Sequence, residues 1–109
     1  MGMPDYEDIT AGGLKSRLDA GERPVLLDVR ELWEFELARI EGSKLIPMSR
    51  LEERFTELDP DSETVVICHH GTRSSYVTQA LQRAGFGKVL NLEGGLEAYS
   101  FVDESVPRY

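Results

Sequence analysis

The sequence predicts an α/β protein with a central, mostly parallel β-sheet that is flanked by helices on both faces. Three short, largely unbroken apolar runs, at residues 25–29, 64–68 and 88–92, are of the kind expected for strands buried on both sides. Segments with helical patterning separate these runs. Such an alternation is typical of parallel sheets covered by helices.

Capping and terminating residues predict helices between these strands. Thr10 is suited to cap the start of a helix, and Gly21 is suited to end it in a left-handed turn. A short helix over residues 31–37 is expected to have one apolar side that includes Leu32. Trp33 is interpreted as a core or rim residue, with a ligand platform as the alternative.

Local signals predict the remaining elements. Residues 44–46 are expected to form a short extended piece inside a loop. Ser49 and Glu52 have the spacing of a capping box, which predicts that a helix begins there. Another helix is expected over residues 74–84, and residues 94–95 should form a tight turn before a last short helix.

Composition and charge limit the functions to be considered. Lys and Arg number 12 against 20 Asp and Glu, so the formal net charge is −8, which argues against nucleic acid or an anionic membrane as a partner. No apolar run approaches the roughly 20 residues that span a bilayer, and no signal peptide is recognised. We expect a cytoplasmic protein with one domain over residues 4–109, after a start or cloning remnant at residues 1–3.

Cys68 is the only cysteine, so no intramolecular disulfide can form. It begins the segment CHHGTRS, residues 68–74, between a predicted buried strand and a helix. A turn of this kind directs successive backbone N–H groups inward, and the following helix adds the positive end of its dipole. Gly71 permits the tight conformation, and Arg73 adds a permanent positive charge. These features predict a cysteine that is reactive near neutral pH rather than an apolar filler.

The charge pattern along the sequence agrees with that prediction. No Asp or Glu occurs between residues 64 and 92, although the chain contains 20 acidic residues. Arg73, Arg83 and Lys88 lie in that stretch, together with both histidines. We therefore expect negative charge to be kept away from the loop. The alternative is that a buried strand and its helix simply lack acidic residues.

Four polar or reactive side chains lie at or just beyond the ends of predicted strands. They are Asp28, Arg30, Cys68 and Asn91. In parallel sheets, ligands bind at the carboxyl ends of the strands, where the N-termini of helices converge. The sequence therefore predicts a site built from three loops.

The segment CHHGTRS resembles the active-site loop of rhodanese-like domains, which begins with a nucleophilic cysteine cradled by backbone amides. Three further stretches resemble that family's motifs in their usual order: LLDVRE at residues 26–31, the stretch over residues 33–47, and NLEGGLEAY at residues 91–99. The final VDESVPRY resembles the tail of such domains, including those fused behind sulfur-activating adenylyltransferases. Residues 38–39 and Tyr99 depart from the family's common residues, so the rim that selects a sulfur acceptor is expected to differ.

The resemblance implies roles for individual residues. Cys68 would be the nucleophile. Asp28 and Arg30 would brace the site, although Asp28 equally suits a strand end or a turn. The loop would bind the substrate through His69, His70, Gly71, Thr72, Arg73 and Ser74.

The reaction implied by the resemblance is a double displacement. The Cys68 thiolate would take the outer sulfur of thiosulfate, or the sulfane sulfur of a persulfide donor, and pass it to cyanide, a thiol or a protein acceptor. Arg73 and the loop amides would hold the donor and stabilise charge on the leaving group. The reaction implies no metal and no organic cofactor, and an adenylyltransferase of a sulfur pathway is a candidate partner.

Three alternatives come from other classes. Cysteine phosphatases and arsenate reductases also place a thiolate in an amide loop that ends in Arg, but their loop is longer than this one, which has four residues between Cys68 and Arg73. A non-catalytic rhodanese-like binding module would usually have lost the cysteine. A metal site at Cys68, His69 and His70 is disfavoured because the chain has no other Cys or His to complete it.

Overall fold

The computed structural model describes residues 6–109, in which five parallel strands form one sheet. The strands are β1 (Glu7–Ile9), β2 (Val25–Asp28), β3 (Lys44–Leu45), β4 (Thr64–Ile67) and β5 (Val89–Leu92). Their order across the sheet is β1-β5-β4-β2-β3. The predicted parallel sheet is therefore confirmed. The predicted remnant at residues 1–3 lies outside the described residues.

Helices cover both faces of the sheet, as the sequence predicts. They are α1 (Ala11–Asp19), α2 (Leu32–Leu37), α3 (Leu51–Arg54), α4 (Thr72–Arg83) and α5 (Gly95–Ser100). Because successive side chains of a strand point to opposite faces, neighbouring residues of β4 belong to different cores. Val65 packs in a core with α1 and α5, whereas Val66 packs in a second core with α4. No helix among residues 6–109 is both long and apolar enough to cross a membrane.

The first helix has the predicted ends. The side chain of Thr10 accepts a hydrogen bond of 2.9 Å from the N–H of Gly13, which satisfies one of the free donors at the start of α1. Gly21 adopts a φ of 92°, the left-handed conformation that ends helices.

The prediction that the apolar side of α2 is buried is wrong. The buried residue of this helix is Glu34, whereas Leu32 and Leu37 are exposed. Trp33 is 61% exposed and packs edge-on against Tyr109, with ring centroids 6.2 Å apart, so it is a rim residue and not part of a core. The helix is turned this way because the carboxylate of Glu34 has cationic and N–H partners inside the protein.

The prediction of a capping box at Ser49 and Glu52 is also wrong, because no such box forms there. The chain enters α3 through a turn of 3-10 helix at Met48–Arg50, and no side chain caps α3. A capping box occurs instead at the start of α2, where the N–H of Glu31 donates a 3.0 Å hydrogen bond to Glu34.

Strand β1 was not predicted, because its three residues are mostly exposed and carry no apolar run. It pairs with the edge of β5, and this pairing sets Asp8 beside Asn91. Strand β4 lies between β2 and β5, so the carboxyl ends of these three strands are adjacent. This arrangement brings together the three loops that the sequence assigns to the site.

Candidate active site

Cys68 follows the last residue of β4 and is 1% exposed. Its Sγ accepts a hydrogen bond of 3.0 Å from the backbone N–H of Gly71. The hydroxyl of Ser74, in the first turn of α4, lies 3.3 Å from the same sulfur. The predicted loop therefore encloses the sulfur, with one backbone donor and one hydroxyl in contact with it.

The N-terminus of α5 holds the peptide groups of this loop. The N–H of Leu96 donates to the carbonyl of Cys68 at 2.8 Å, and the N–H of Glu97 donates to the carbonyl of His69 at 3.1 Å. In a planar trans peptide the C=O and N–H groups point in opposite directions. The N–H groups of His69 and His70 therefore face away from α5. This is the orientation in which successive N–H groups of a loop can form an anion-binding concavity.

Two glycines allow this close approach. Gly71 has a φ of +98°, which side chains rarely adopt, and it precedes α4 directly. Gly95 has a φ of +62°, and a Cβ atom there would lie 2.4 Å from both the carbonyl carbon and the carbonyl oxygen of His69. The loop and α5 can thus pack together only because residue 95 has no side chain.

Arg73 is held at the loop by an acidic residue from another segment. Its guanidinium donates hydrogen bonds to both carboxylate oxygens of Glu34, at 2.7 and 2.9 Å. The side chain of Arg73 is 35% exposed and that of Glu34 only 5%. Chiefly because of the hydrogen bond from Arg73, the pKa of Glu34 falls to about 2.

Tyr109 connects this ion pair to the rest of the site. Its hydroxyl donates to Glu34 at 2.8 Å and accepts from Arg30 at 2.8 Å. Its ring stacks on His69, with centroids 4.2 Å apart. Burial is the main cause that raises the pKa of Tyr109 to about 12, so the hydroxyl keeps its proton and its role as a donor near neutral pH.

Asp28 and Arg30 form a buried ion pair next to the loop. Arg30 donates to both carboxylate oxygens of Asp28, at distances of 2.7 to 3.1 Å, and neither side chain is exposed. Its remaining donors reach Tyr109 and the carbonyls of Glu34 and Ala38. The structure thus places the pair behind Glu34 and Tyr109, which lie between it and Arg73. Its bracing role stays a prediction.

The two histidines lie at the mouth of the loop beside Glu97. Their rings stack with centroids 4.0 Å apart and planes inclined by 20°. Burial is the main cause that lowers the pKa of His69. The possible metal-binding atoms of His69, His70 and Glu97 lie within 4.8 Å of one another. In the observed arrangement, however, the two imidazole planes are nearly parallel, so an ion in the plane of one ring would lie outside the plane of the other.

The expectation that negative charge is kept away from the loop is wrong, because folding brings two acidic residues close to it. Glu34 approaches from α2 and pairs with Arg73, while Glu97 approaches from α5 to within 3.2 Å of His70. Neither residue lies in the acid-free stretch of the sequence. The remaining predicted loop residue, Thr72, is exposed at the first position of α4.

A cavity of about 320 Å³ opens beside the loop. Its walls come from the loop, from α5 and from the C-terminal segment, through residues that include His69, Glu97, Phe101, Arg108 and Tyr109. The guanidinium of Arg108 lies over the ring of Phe101, 3.9 Å from its centroid. This space is large enough for a small molecule next to His69.

Comparison with known proteins gives consistent matches over most of the chain. The family model described as "Rhodanese-like domain" matches residues 10–101. Over 95 residues the chain is 37% identical to the putative sulfurtransferase YtwF of Bacillus subtilis, a match that covers 87% of this chain and 91% of that protein. The crystal structure of a rhodanese-related protein from Thermoplasma volcanium has a TM-score of 0.80 at 33% identity, covering 94% of this chain and 96% of that one.

Other relatives are longer proteins. The chain is 36% identical over 93 residues to the putative sulfur carrier protein YrkF of Bacillus subtilis, which covers 85% of this chain but 50% of that relative. Further relatives are named as adenylyltransferase and sulfurtransferase proteins, and the chain covers 24% of their length.

Replacement of Gly95 by Ala is expected to destabilise the protein by at least about 2 kcal/mol, because the new Cβ would collide with the backbone of His69 at a left-handed φ. Gly12→Ala is the matched control: nothing lies within 4 Å of its added Cβ in α1, so stability should be unchanged or higher by up to about 1 kcal/mol. Urea unfolding measures both variants. Equal stabilities would show that the approach of α5 to the loop does not depend on Gly95.

The ion pair of Glu34 should make stability depend on pH. Its pKa lies at about 2 in the folded protein against an ordinary 4.5, so its contribution is complete above pH 4.5 and is lost as the pH falls toward 2. The free energy of unfolding of the unmodified protein should therefore exceed that of Glu34→Gln most near pH 7, and this difference should shrink below pH 4.5. Glu36→Gln, at an exposed position of the same helix, is the control. A difference for Glu34→Gln that does not change with pH would contradict this account.

Proposed function

The chain belongs to the rhodanese-like domain family, and on that premise we propose that it is a sulfurtransferase in which Cys68 carries a sulfane sulfur as a persulfide. The observation that carries this proposal is the position of the Cys68 sulfur. It lies at the carboxyl end of β4, with the N–H of Gly71 directed at it at 3.0 Å. A backbone donor in contact with a sulfur stabilises negative charge there and costs no reorganisation during a reaction.

In the first half-reaction, the thiolate of Cys68 attacks the outer sulfur of thiosulfate or the sulfane sulfur of a persulfide. A new S–S bond forms to Cys68, and the old S–S bond breaks. The leaving group, sulfite or a thiolate, takes the electron pair of the broken bond. The sulfur that Cys68 now carries is negatively charged, and the amide groups of the loop offer it hydrogen-bond donors.

In the second half-reaction, cyanide, a thiol or a protein thiol attacks the outer sulfur of the persulfide. The S–S bond to Cys68 breaks, and the electron pair returns to the Cys68 sulfur, which regenerates the thiolate. The atoms and electrons balance over the two steps without a further co-reactant. A sulfur-pathway adenylyltransferase remains a proposed partner, supported by the names of longer relatives. The cytoplasmic location also stays a prediction.

We assign to Arg73 the orientation of the donor. A guanidinium has five N–H donors, and Glu34 accepts from two of the terminal nitrogens. Because this side chain is partly exposed, its other N–H groups can donate hydrogen bonds to an anionic group that approaches the loop. Because Glu34 neutralises much of the charge of Arg73, the pair favours orientation over strong binding of a dianion.

The main rival is a cysteine-dependent phosphatase or arsenate reductase. The four residues between Cys68 and Arg73 make a small ring, which suits a single sulfur better than a tetrahedral oxyanion. A non-catalytic binding module is the other rival, and it has no need of the sulfur contacts made by Gly71 and Ser74.

Substitution of Cys68 by Ser should lower the rate of sulfur transfer from thiosulfate to cyanide by at least about a thousandfold, because a hydroxyl is a far weaker nucleophile at neutral pH. Circular dichroism should show an unchanged fold, since the two side chains are close in size. The control is hydrolysis of a phosphate ester by the unmodified protein, which should be absent. Substantial transfer by Cys68→Ser, or ester hydrolysis that exceeds sulfur transfer, would contradict the proposed activity.

A further inference from the structure

Hydrogen bonds connect Cys68 to Asp8, an acidic residue of β1 that has no role in the mechanism above. The oxygen of Ser74 lies 3.3 Å from the Cys68 sulfur and 2.5 Å from Oδ1 of Asn91. The Nδ2 group of Asn91 donates to Asp8 at 2.9 Å. Ser74 and Asn91 are buried, whereas Asp8 is exposed.

The direction of each hydrogen bond in this chain is fixed by chemistry. An ionised carboxylate can only accept, so Asn91 must turn its NH₂ group toward Asp8. The amide oxygen of Asn91 then faces Ser74, and because an amide oxygen can only accept, Ser74 must supply the proton. A serine hydroxyl has a single proton. Ser74 therefore presents a lone pair, and not its proton, to the sulfur of Cys68.

This direction favours the protonated form of Cys68. An S–H group can donate to the lone pair of Ser74, whereas a thiolate needs a donor. Ser74 can turn its proton toward a thiolate only by leaving the buried oxygen of Asn91 unsatisfied, which is costly. The acceptor that forbids Asn91 from turning over is Asp8.

We propose that Asp8 is a positioning residue that acts through Asn91 and Ser74 to restrain the reactivity of the resting Cys68 thiol. The inference rests on Cys68 as the reacting group of the proposed function, but not on the identity of the sulfur donor. The pairing of β1 with β5, which sets Asp8 opposite Asn91, holds the two side chains in register. Removal of Asp8 frees Asn91 to turn its NH₂ toward Ser74, whose proton then faces the sulfur.

The test is the rate at which iodoacetamide alkylates Cys68, measured as a function of pH. The other charged and titratable groups around the loop are the same in every variant compared: Arg73, Glu34, Tyr109, His69, His70 and Glu97. Asp8→Ala should lower the pH at which the rate is half maximal, and below that pH it should raise the rate on the order of threefold to tenfold, the range expected for one redirected hydrogen bond. Asp8→Asn should shift the profile in the same direction, because an asparagine can donate as well as accept. Glu7→Gln removes an exposed charge from the same strand and should leave the profile unchanged.

A double-mutant cycle separates the hydrogen bonds from the charge of Asp8. In a Ser74→Ala background, Asp8→Ala should have no effect on alkylation, since the connection to Cys68 is already broken. An unchanged profile for both Asp8 variants would overturn the proposal. An equal shift with and without Ser74 would also overturn it, because the charge of Asp8 would then act directly. Alkylation needs only the thiol, so these results are independent of whether the protein transfers sulfur.

Discussion

The rest of the site depends on the contact between the first turn of α5 and the two carbonyls of the cysteine loop. The N–H groups of Leu96 and Glu97 would lack partners at the start of a helix, and the carbonyls of Cys68 and His69 would lack partners in a loop. The N–H groups and the carbonyls satisfy one another, and Gly95 permits α5 to come close enough to the loop for these hydrogen bonds. With both carbonyls held by α5, the N–H groups of the loop can face the sulfur and the proposed substrate. This backbone contact therefore supports both the fold and the proposed chemistry.

A second constraint is the group of charges behind the loop. Arg30 is completely buried, and such a charge is tolerated only when every part of it has partners. Asp28, Tyr109 and two backbone carbonyls supply them. The hydroxyl of Tyr109 also donates to Glu34, and Glu34 holds Arg73 beside the cysteine loop. The sheet, α2 and the C-terminal segment are thereby joined at one place, and the orientation of Arg73 follows from the packing of residues far from it in the sequence.

Local patterns were sufficient to predict most of the sheet and to select the loop to which the proposed function assigns the chemistry. Apolar runs mark β2, β4 and β5, and the composition of CHHGTRS makes Cys68 the candidate nucleophile. Partners brought together by folding were missed: Glu34 lies 39 residues from Arg73, and Tyr109 lies 79 residues from Arg30. The distribution of acidic residues along the sequence does not reveal either contact. Because Glu34 is buried, α2 turns to solvent the side that the sequence predicts to be buried. Strand β1 was missed because its pairing with β5, and not its own apolar content, makes it a strand.

Intact-protein mass spectrometry after incubation with thiosulfate is the most direct test of whether Cys68 holds a sulfane sulfur. We predict an adduct heavier by one sulfur atom, which cyanide removes and which prior alkylation of Cys68 prevents, since no second thiol exists. A sulfinic acid has nearly the same added mass, but it resists cyanide and thiols. Absence of a cyanide-labile adduct on the folded, reduced protein under excess thiosulfate and excess persulfide donor would show that Cys68 does not carry the sulfur.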